Sequence, residues 1–75
     1  MPDQQEIADL VRTRLRNRRV ELGLSIDELA ATSLVNASTI SRIETGRRAP
    51  GLHHLVPLAT GLGLGLDELV TPPRP

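Results

Sequence analysis

Three glycines divide the chain into short segments that have the apolar spacing of helices. Gly23, Gly46 and Gly63 each directly follow such a segment. Glycine is favoured just past a helix end, because without a Cβ it adopts the left-handed backbone conformation at little steric cost. The pattern therefore predicts three helix ends, and with them an all-α fold built from short helices.

Helix starts recur in the same register as these ends. Ser25 and Glu28 have the spacing of a capping box, in which each side chain accepts a hydrogen bond from the other residue's backbone amide. Asn36 occupies the equivalent cap position of the next segment, and Gly65 that of the last. We therefore predict five helices, near residues 4–22, 26–32, 37–45, 52–62 and 66–70.

The fourth predicted helix contains Pro57, which has no amide proton to donate. Either this helix begins late enough to place Pro57 in its first turn, or it bends there. Residues 1–70 are predicted to form one domain. Residues 71–75 are proline-rich, cannot continue a helix, and are interpreted as a tail or linker.

Composition limits the class of protein. The chain has 75 residues and contains no Phe, Tyr, Trp or Cys, so the core must be aliphatic, and disulfides and thiolate metal sites are excluded. Acidic residues stand near the start, where a signal peptide would need positive charge, and no stretch has the 18 or more apolar residues of a membrane span. We expect a soluble, cytoplasmic protein.

All nine basic residues are arginine, and they balance nine acids. Five arginines lie between residues 12 and 19, and three more are Arg42, Arg47 and Arg48. Net charge alone therefore offers no general attraction to nucleic acid. The cluster in helix 1 is interpreted as a solvated helix face.

The third predicted helix has one apolar and one polar side. If Ile40 and Ile43 face the core, a helical wheel turns the polar residues outward. This short, acid-free face fits a DNA major groove, where small hydroxyls permit close approach and an arginine can donate two hydrogen bonds to guanine. The predicted base contacts are Ser38, Ser41, Arg42 and Thr45. The same pattern also suits an ordinary solvated helix followed by a basic loop.

Residues at both ends of this helix are predicted to hold DNA phosphates. Asn36, together with the free amides and the dipole of the helix N-terminus, could bind one phosphate. Arg47 and Arg48 directly follow Gly46, on the loop that leaves the helix. Their expected contribution is to affinity and not to the choice of sequence.

Glu44 falls beside the isoleucines on the inner side of helix 3, where an unpaired carboxylate is costly. Val11, Leu15 and Leu22 form the expected core stripe of helix 1. Arg19 lies on the same side of that helix as Leu15 and Leu22. We therefore predict a buried or half-buried ion pair between Arg19 and Glu44.

Ile7 and Leu10 lie off the core stripe of helix 1, by roughly 80° on an ideal wheel. One interpretation is that they cap the core against helix 5. The other is that they contribute apolar surface to a homodimer interface.

No enzyme or cofactor is predicted. His53 and His54 are adjacent, so on a helix their side chains diverge by about 100° and cannot chelate one metal as an i, i+4 pair can. No carboxylate pair, nucleophile and base, or phosphate-cradling glycine loop is present in the sequence.

Residues 11–70 resemble the Xre and Cro/C1 family of phage-repressor-type helix-turn-helix regulators. The resemblance rests on segments that occur in the order of that family: Arg19, Leu29-Ala30, Ile40-Ser41-Arg42-Ile43-Glu44-Thr45-Gly46, Pro50 and the closing Leu62-Gly63-Leu64-Gly65-Leu66-Asp67-Glu68-Leu69. It implies a five-helix lambda-repressor-like bundle, transcriptional regulation, and dimeric binding to an inverted-repeat operator in double-stranded DNA. It also implies the ion pair between Arg19 and Glu44.

Two positions depart from the family pattern. Leu34 stands where the family usually has a glycine in the turn between helices 2 and 3, so we expect an altered turn or strain of roughly 1 to 2 kcal/mol. Ile26 stands where a glutamine often contacts the DNA backbone. The second departure and the zero net charge leave an alternative function open, namely an antitoxin-like or adaptor module that binds a partner protein.

Overall fold

The structure is a computed structural model that describes residues 2–72. In this range it contains five helices: α1 (Gln4–Glu21), α2 (Ile26–Ser33), α3 (Ala37–Glu44), α4 (Leu52–Gly61) and α5 (Leu66–Val70). The predicted all-α five-helix fold is confirmed, with every boundary within one residue. Residues 73–75 of the predicted tail lie outside the described range, and the division at residue 70 stays a prediction.

The predicted helix ends and caps are present. Gly23, Gly46 and Gly63 have φ angles of 71°, 78° and 70°, which L side chains adopt only with strain. The Ser25 hydroxyl accepts from the Glu28 amide at 3.0 Å, and Glu28 Oε1 accepts from the Ser25 amide at 2.9 Å. That second bond lowers the pKa of Glu28, because the amide stabilises the ionised carboxylate. The capping box fixes the first turn of α2.

Pro57 lies inside α4, at the sixth of its ten residues. The interpretation that this helix starts late was wrong, since α4 begins at Leu52. Pro57 cannot donate to the carbonyl one turn earlier, so α4 lacks one of its internal hydrogen bonds. The burial of Leu55, Leu58 and Ala59 on the same helix offsets that loss.

The core lies where α1 packs against α3 and α5, and α2 packs against α3 and α4. Leu22 was expected there and is 44% exposed. Because α1 ends at Glu21, Leu22 falls past the helix, and Leu24 of the next turn packs on the core instead. The buried apolar residues are Val11, Leu15, Leu29, Val35, Ile40, Ile43, Leu55, Leu58, Ala59, Leu62 and Leu69.

The turn between α2 and α3 is held by Ser33 and contains a strained leucine. The buried Ser33 hydroxyl donates to the Leu29 carbonyl at 2.7 Å and accepts from the Val35 amide at 3.3 Å. Leu34 has φ 61° and ψ 20°, which is left-handed backbone, and its side chain is 91% exposed. The turn thus keeps the conformation that a glycine would allow, at the expense of strain in Leu34.

Leu34→Gly is expected to stabilise the fold by up to about 1.5 kcal/mol. Removing the Cβ relieves roughly 1 to 2 kcal/mol of strain, and the greater freedom of glycine in the unfolded chain takes back about 0.5 to 1 kcal/mol. The exposed side chain contributes little packing. Urea denaturation measures the change, with Leu34→Ala as control because alanine keeps the strained Cβ. A glycine variant no more stable than the alanine variant would contradict the strain.

Candidate nucleic-acid interface

The outer face of α3 is fixed by what its inner face buries. Ile40 and Ile43 are each 1% exposed and Glu44 is 7% exposed. With these residues inward, Ser38, Arg42 and Thr45 are exposed and Ser41 is half-buried. The only acid of α3 is thereby removed from the surface. The structure therefore brings the four predicted base-contact residues to one side of the bundle.

The N-terminus of α3 is capped by Asn36. Its Oδ1 accepts hydrogen bonds from the Ser38 amide at 2.8 Å and from the Ser38 hydroxyl at 2.6 Å. A backbone amide can only donate, so the atom facing it must be the oxygen, and the exposed Nδ2 is left to donate outward. Asn36 is thus oriented to present two amide protons beside the helix N-terminus, where anions bind well.

The C-terminus of α3 leads into the basic loop. The Arg47 and Arg48 amides both donate to the Arg42 carbonyl, at 2.8 and 3.2 Å, around the left-handed Gly46. Thr45 closes the helix by donating its hydroxyl to the Ser41 carbonyl at 2.8 Å. Both arginine side chains are exposed. The loop therefore presents two cations directly beyond the polar face of α3.

Two histidines follow this loop at the start of α4. The prediction that their side chains diverge was wrong, because the ring centroids of His53 and His54 are 3.9 Å apart. His54 is half-buried, and its Nδ1 has no hydrogen-bond partner among residues 2–72. Burial lowers the pKa of His54, and the positive potential of His53 and Arg48 lowers it further. His54 therefore adds packing and little charge beside the arginine loop.

Glu44 is held by Arg19 in a two-pronged ion pair. Arg19 Nε donates to Glu44 Oε2 and Arg19 Nη2 to Glu44 Oε1, both at 2.8 Å. A third donor, Nη1, binds the Leu24 carbonyl at 2.8 Å. The side chains of Arg19 and Glu44 are 13% and 5% exposed, and the carboxylate raises the pKa of the arginine. The pair ties α3 to the end of α1 and so sets how α3 is presented.

Two other arginines of α1 bind backbone carbonyls near the ends of α4 and α5, which the sequence interpretation missed. Arg14 Nη1 donates to the carbonyls of Glu68 and Thr71, at 2.9 and 2.6 Å, and Arg18 Nε donates to the Leu62 carbonyl at 3.1 Å. The interpretation of this cluster as a purely solvated face was therefore wrong. One signal was present in the sequence: α4 and α5 have no basic residue in their last turns, so their terminal carbonyls need donors from elsewhere.

Ile7 and Leu10 are both half-buried. Ile7 packs on the core, as the capping interpretation expects. It also lines an open groove of about 510 Å³, together with Val11, Leu55 and Val70 from three helices. Apolar surface therefore remains uncovered at this end of the bundle.

No helix within residues 2–72 combines the length and the apolar character needed to cross a membrane.

Comparison with known proteins gives a consistent result. The helix-turn-helix family model HTH_3 matches residues 15–69. The chain is 37% identical over 67 residues to an uncharacterized HTH-type transcriptional regulator, y4dJ of Sinorhizobium fredii, covering 89% of this chain and 87% of the relative. It is 28% identical over 74 residues to a hypothetical transcription factor of Neisseria meningitidis serogroup B, covering 99% of this chain and 70% of the relative.

The fold is also similar to a solved structure. The crystal structure of the hypothetical transcription factor NHTF from Neisseria superposes with a TM-score of 0.83 at 29% sequence identity. The superposition covers 97% of this chain and 84% of that chain. The similarity therefore extends over nearly the whole bundle and is not restricted to the two helices that flank the turn.

Proposed function

The chain belongs to the helix-turn-helix family, and from that premise we propose that it is a transcriptional regulator that binds duplex DNA with α3 in the major groove. One observation carries the proposal: Ile40, Ile43 and Glu44 are buried, so the acid-free face of α3 points outward. A helix presented in this way has the width and the donors that a major groove accepts. The protein acts by binding and not by catalysis, in the cytoplasm where its DNA target is.

The contacts divide by chemistry. Arg42 is exposed and can donate two hydrogen bonds to one guanine, so it is proposed to read sequence, with Ser38 and Ser41 beside it and Thr45 at the edge. Phosphate contacts are assigned to the Asn36 amide and to the guanidinium groups of Arg47 and Arg48. Phosphate contacts position a protein on the duplex, and base contacts specify where it binds.

The salt dependence of binding tests this proposal. Two loop arginines in each of two protomers would release counterions from about four phosphates. A plot of the logarithm of the association constant against the logarithm of the salt concentration should therefore have a slope of roughly −3 to −4. Fluorescence anisotropy with a labelled duplex of mixed sequence measures this slope. No binding at low salt would contradict DNA binding and favour the module that holds only a partner protein. Both relatives are named as transcription regulators, which does not favour that alternative.

We propose further that the regulator works as a homodimer on an inverted repeat, with Ile7 and Leu10 contributing to the interface. The support is the groove beside Ile7, which is apolar and open in the single chain. Sedimentation of the Ile7→Asp, Leu10→Asp variant should show a monomer, whereas Val20→Asp, at an exposed position near the other end of α1, should match the parent. A double variant with the parent's oligomeric state and helical content would remove these residues from the interface.

A further inference from the structure

Two hydroxyls on the outer face of α3 have no proton left to offer. A hydroxyl carries one proton and two lone pairs. Ser38 Oγ lies 2.6 Å from Asn36 Oδ1, and Thr45 Oγ1 lies 2.8 Å from the Ser41 carbonyl. Both partner atoms are oxygens that can only accept, so each hydroxyl must be the donor. Ser38 and Thr45 can therefore only accept hydrogen bonds from anything that approaches them.

A second contact fixes the orientation of the Asn36 side-chain amide, and with it the Ser38 hydroxyl as the donor. The Ser38 backbone amide points at the same Asn36 atom at 2.8 Å, and a backbone amide can only donate. That atom is therefore Oδ1, because turning the side-chain amide over would place the donor Nδ2 against the donating Ser38 backbone amide. Ser41 differs, because its hydroxyl makes no side-chain hydrogen bond among residues 2–72 and remains able to donate or accept.

This restriction selects what Ser38 can contact on DNA. Phosphate oxygens are acceptors, so the Ser38 hydroxyl is a poor phosphate ligand. In the major groove the guanine O6 and N7, the thymine O4 and the adenine N7 are also acceptors. The donors there are the exocyclic amino groups, N6 of adenine and N4 of cytosine. A serine with a free proton could pair with any of these atoms, whereas Ser38 can pair only with the amino groups.

We propose that Ser38 reads the amino group of an adenine or a cytosine, and that Asn36 sets this choice by holding the serine proton. The inference rests on the proposed function, because it assigns a base preference to one residue of the same DNA-binding face. Asn36 acts here as a positioning residue, in addition to the phosphate contact through Nδ2. We expect the preference for adenine or cytosine to be roughly 2- to 10-fold in affinity. This is the net contribution of one neutral hydrogen bond, because Ser38 must break its bond to Asn36 before it can donate to another base.

The test begins with duplexes selected from a random pool by the wild-type protein. Ser38→Ala identifies the base position that Ser38 reads, because the preference there should disappear, and Ser41→Ala is the control that should leave that position unchanged. Wild type should prefer adenine or cytosine there. Replacing that base with purine or 2-pyrimidinone, which lack the amino group, should weaken wild-type binding roughly 2- to 10-fold and leave Ser38→Ala unaffected.

Two variants of Asn36 separate its positioning role from its role as a helix cap. Asn36→Asp keeps the acceptor oxygen, so it should retain the preference for adenine or cytosine while binding all duplexes more weakly, because a carboxylate repels phosphate. Asn36→Ala frees the serine proton and should admit guanine and thymine at the same position. The base preference of Asn36→Ala is measured at a temperature at which circular dichroism shows that this variant is folded.

The outcomes are decisive in both directions. A guanine or thymine preference at the Ser38 position, no change of any position in Ser38→Ala, or no penalty for removing the amino group would overturn this inference and leave DNA binding intact. A wild-type protein that retains no duplex would overturn the proposed function and this inference together.

Discussion

Glu44→Ala is expected to destabilise the domain by about 3 to 5 kcal/mol. The Arg19 side chain is only 13% exposed, and the change removes the carboxylate that accepts two of its hydrogen bonds. Breaking a buried pair costs this much because one desolvated charge remains without a partner. A chain of this length has a total stability of about 4 to 11 kcal/mol, so the loss amounts to between roughly a quarter and all of it. Urea denaturation in the cold measures the difference.

The chain supplies a matched control for this prediction. Glu21 also faces an arginine, Arg18, but at 3.8 Å and with its side chain 69% exposed. Exposed pairs contribute about 0 to 1 kcal/mol, so Glu21→Ala should be nearly neutral. A double-mutant cycle over Arg19 and Glu44 should show strong coupling. Equal losses for Glu44→Ala and Glu21→Ala would mean that the buried pair does not hold α3 in place.

Arg42→Ala is expected to weaken binding to the preferred operator by about 1 to 3 kcal/mol, or roughly 5- to 150-fold. It should also relax the choice of base at one position. The reason is the loss of a two-pronged contact that only guanine offers in the major groove. Because Arg42 is exposed, its removal should leave stability nearly unchanged. Binding isotherms on the operator and on duplexes that differ at the guanine give the effect.

Arg47→Ala is the comparison that isolates sequence recognition. Its loss removes a proposed phosphate contact, so affinity should fall alike on every duplex and the salt slope should become shallower by about one unit. Arg42→Ala should change the order of preferred sequences, and Arg47→Ala should not. If both variants lost affinity in the same sequence-independent way, the division between base and phosphate contacts would be wrong.

The local signals in the sequence predict the fold well, because they act within a few residues. The Ser25 capping box and the glycines that end helices depend only on backbone geometry inside one turn. The inward side of α3 is also predictable, since apolar spacing decides it and Glu44 follows from the same wheel. Arg19 could be matched to Glu44 because both must face the contact between helices 1 and 3.

Contacts that depend on how distant helices meet could not be predicted in the same way. Arg14 reaches carbonyls more than fifty residues away, and only the packing of α1 against α5 brings them together. Leu22 has the spacing of a core residue, but the helix ends one residue before it. The hydroxyl proton of Ser38 is fixed by a local cap, yet a capping pattern alone does not show that two donors share one oxygen.

Selection of bound sequences from a random duplex pool tests most directly whether α3 reads DNA. We predict that wild-type protein enriches a short motif containing a guanine that Arg42 requires. We also predict two copies of the motif as an inverted repeat, with centres about 34 Å apart along the duplex. A pool that stays random at low salt, or that enriches a motif unchanged by Arg42→Ala, would contradict the placement of this helix in the major groove.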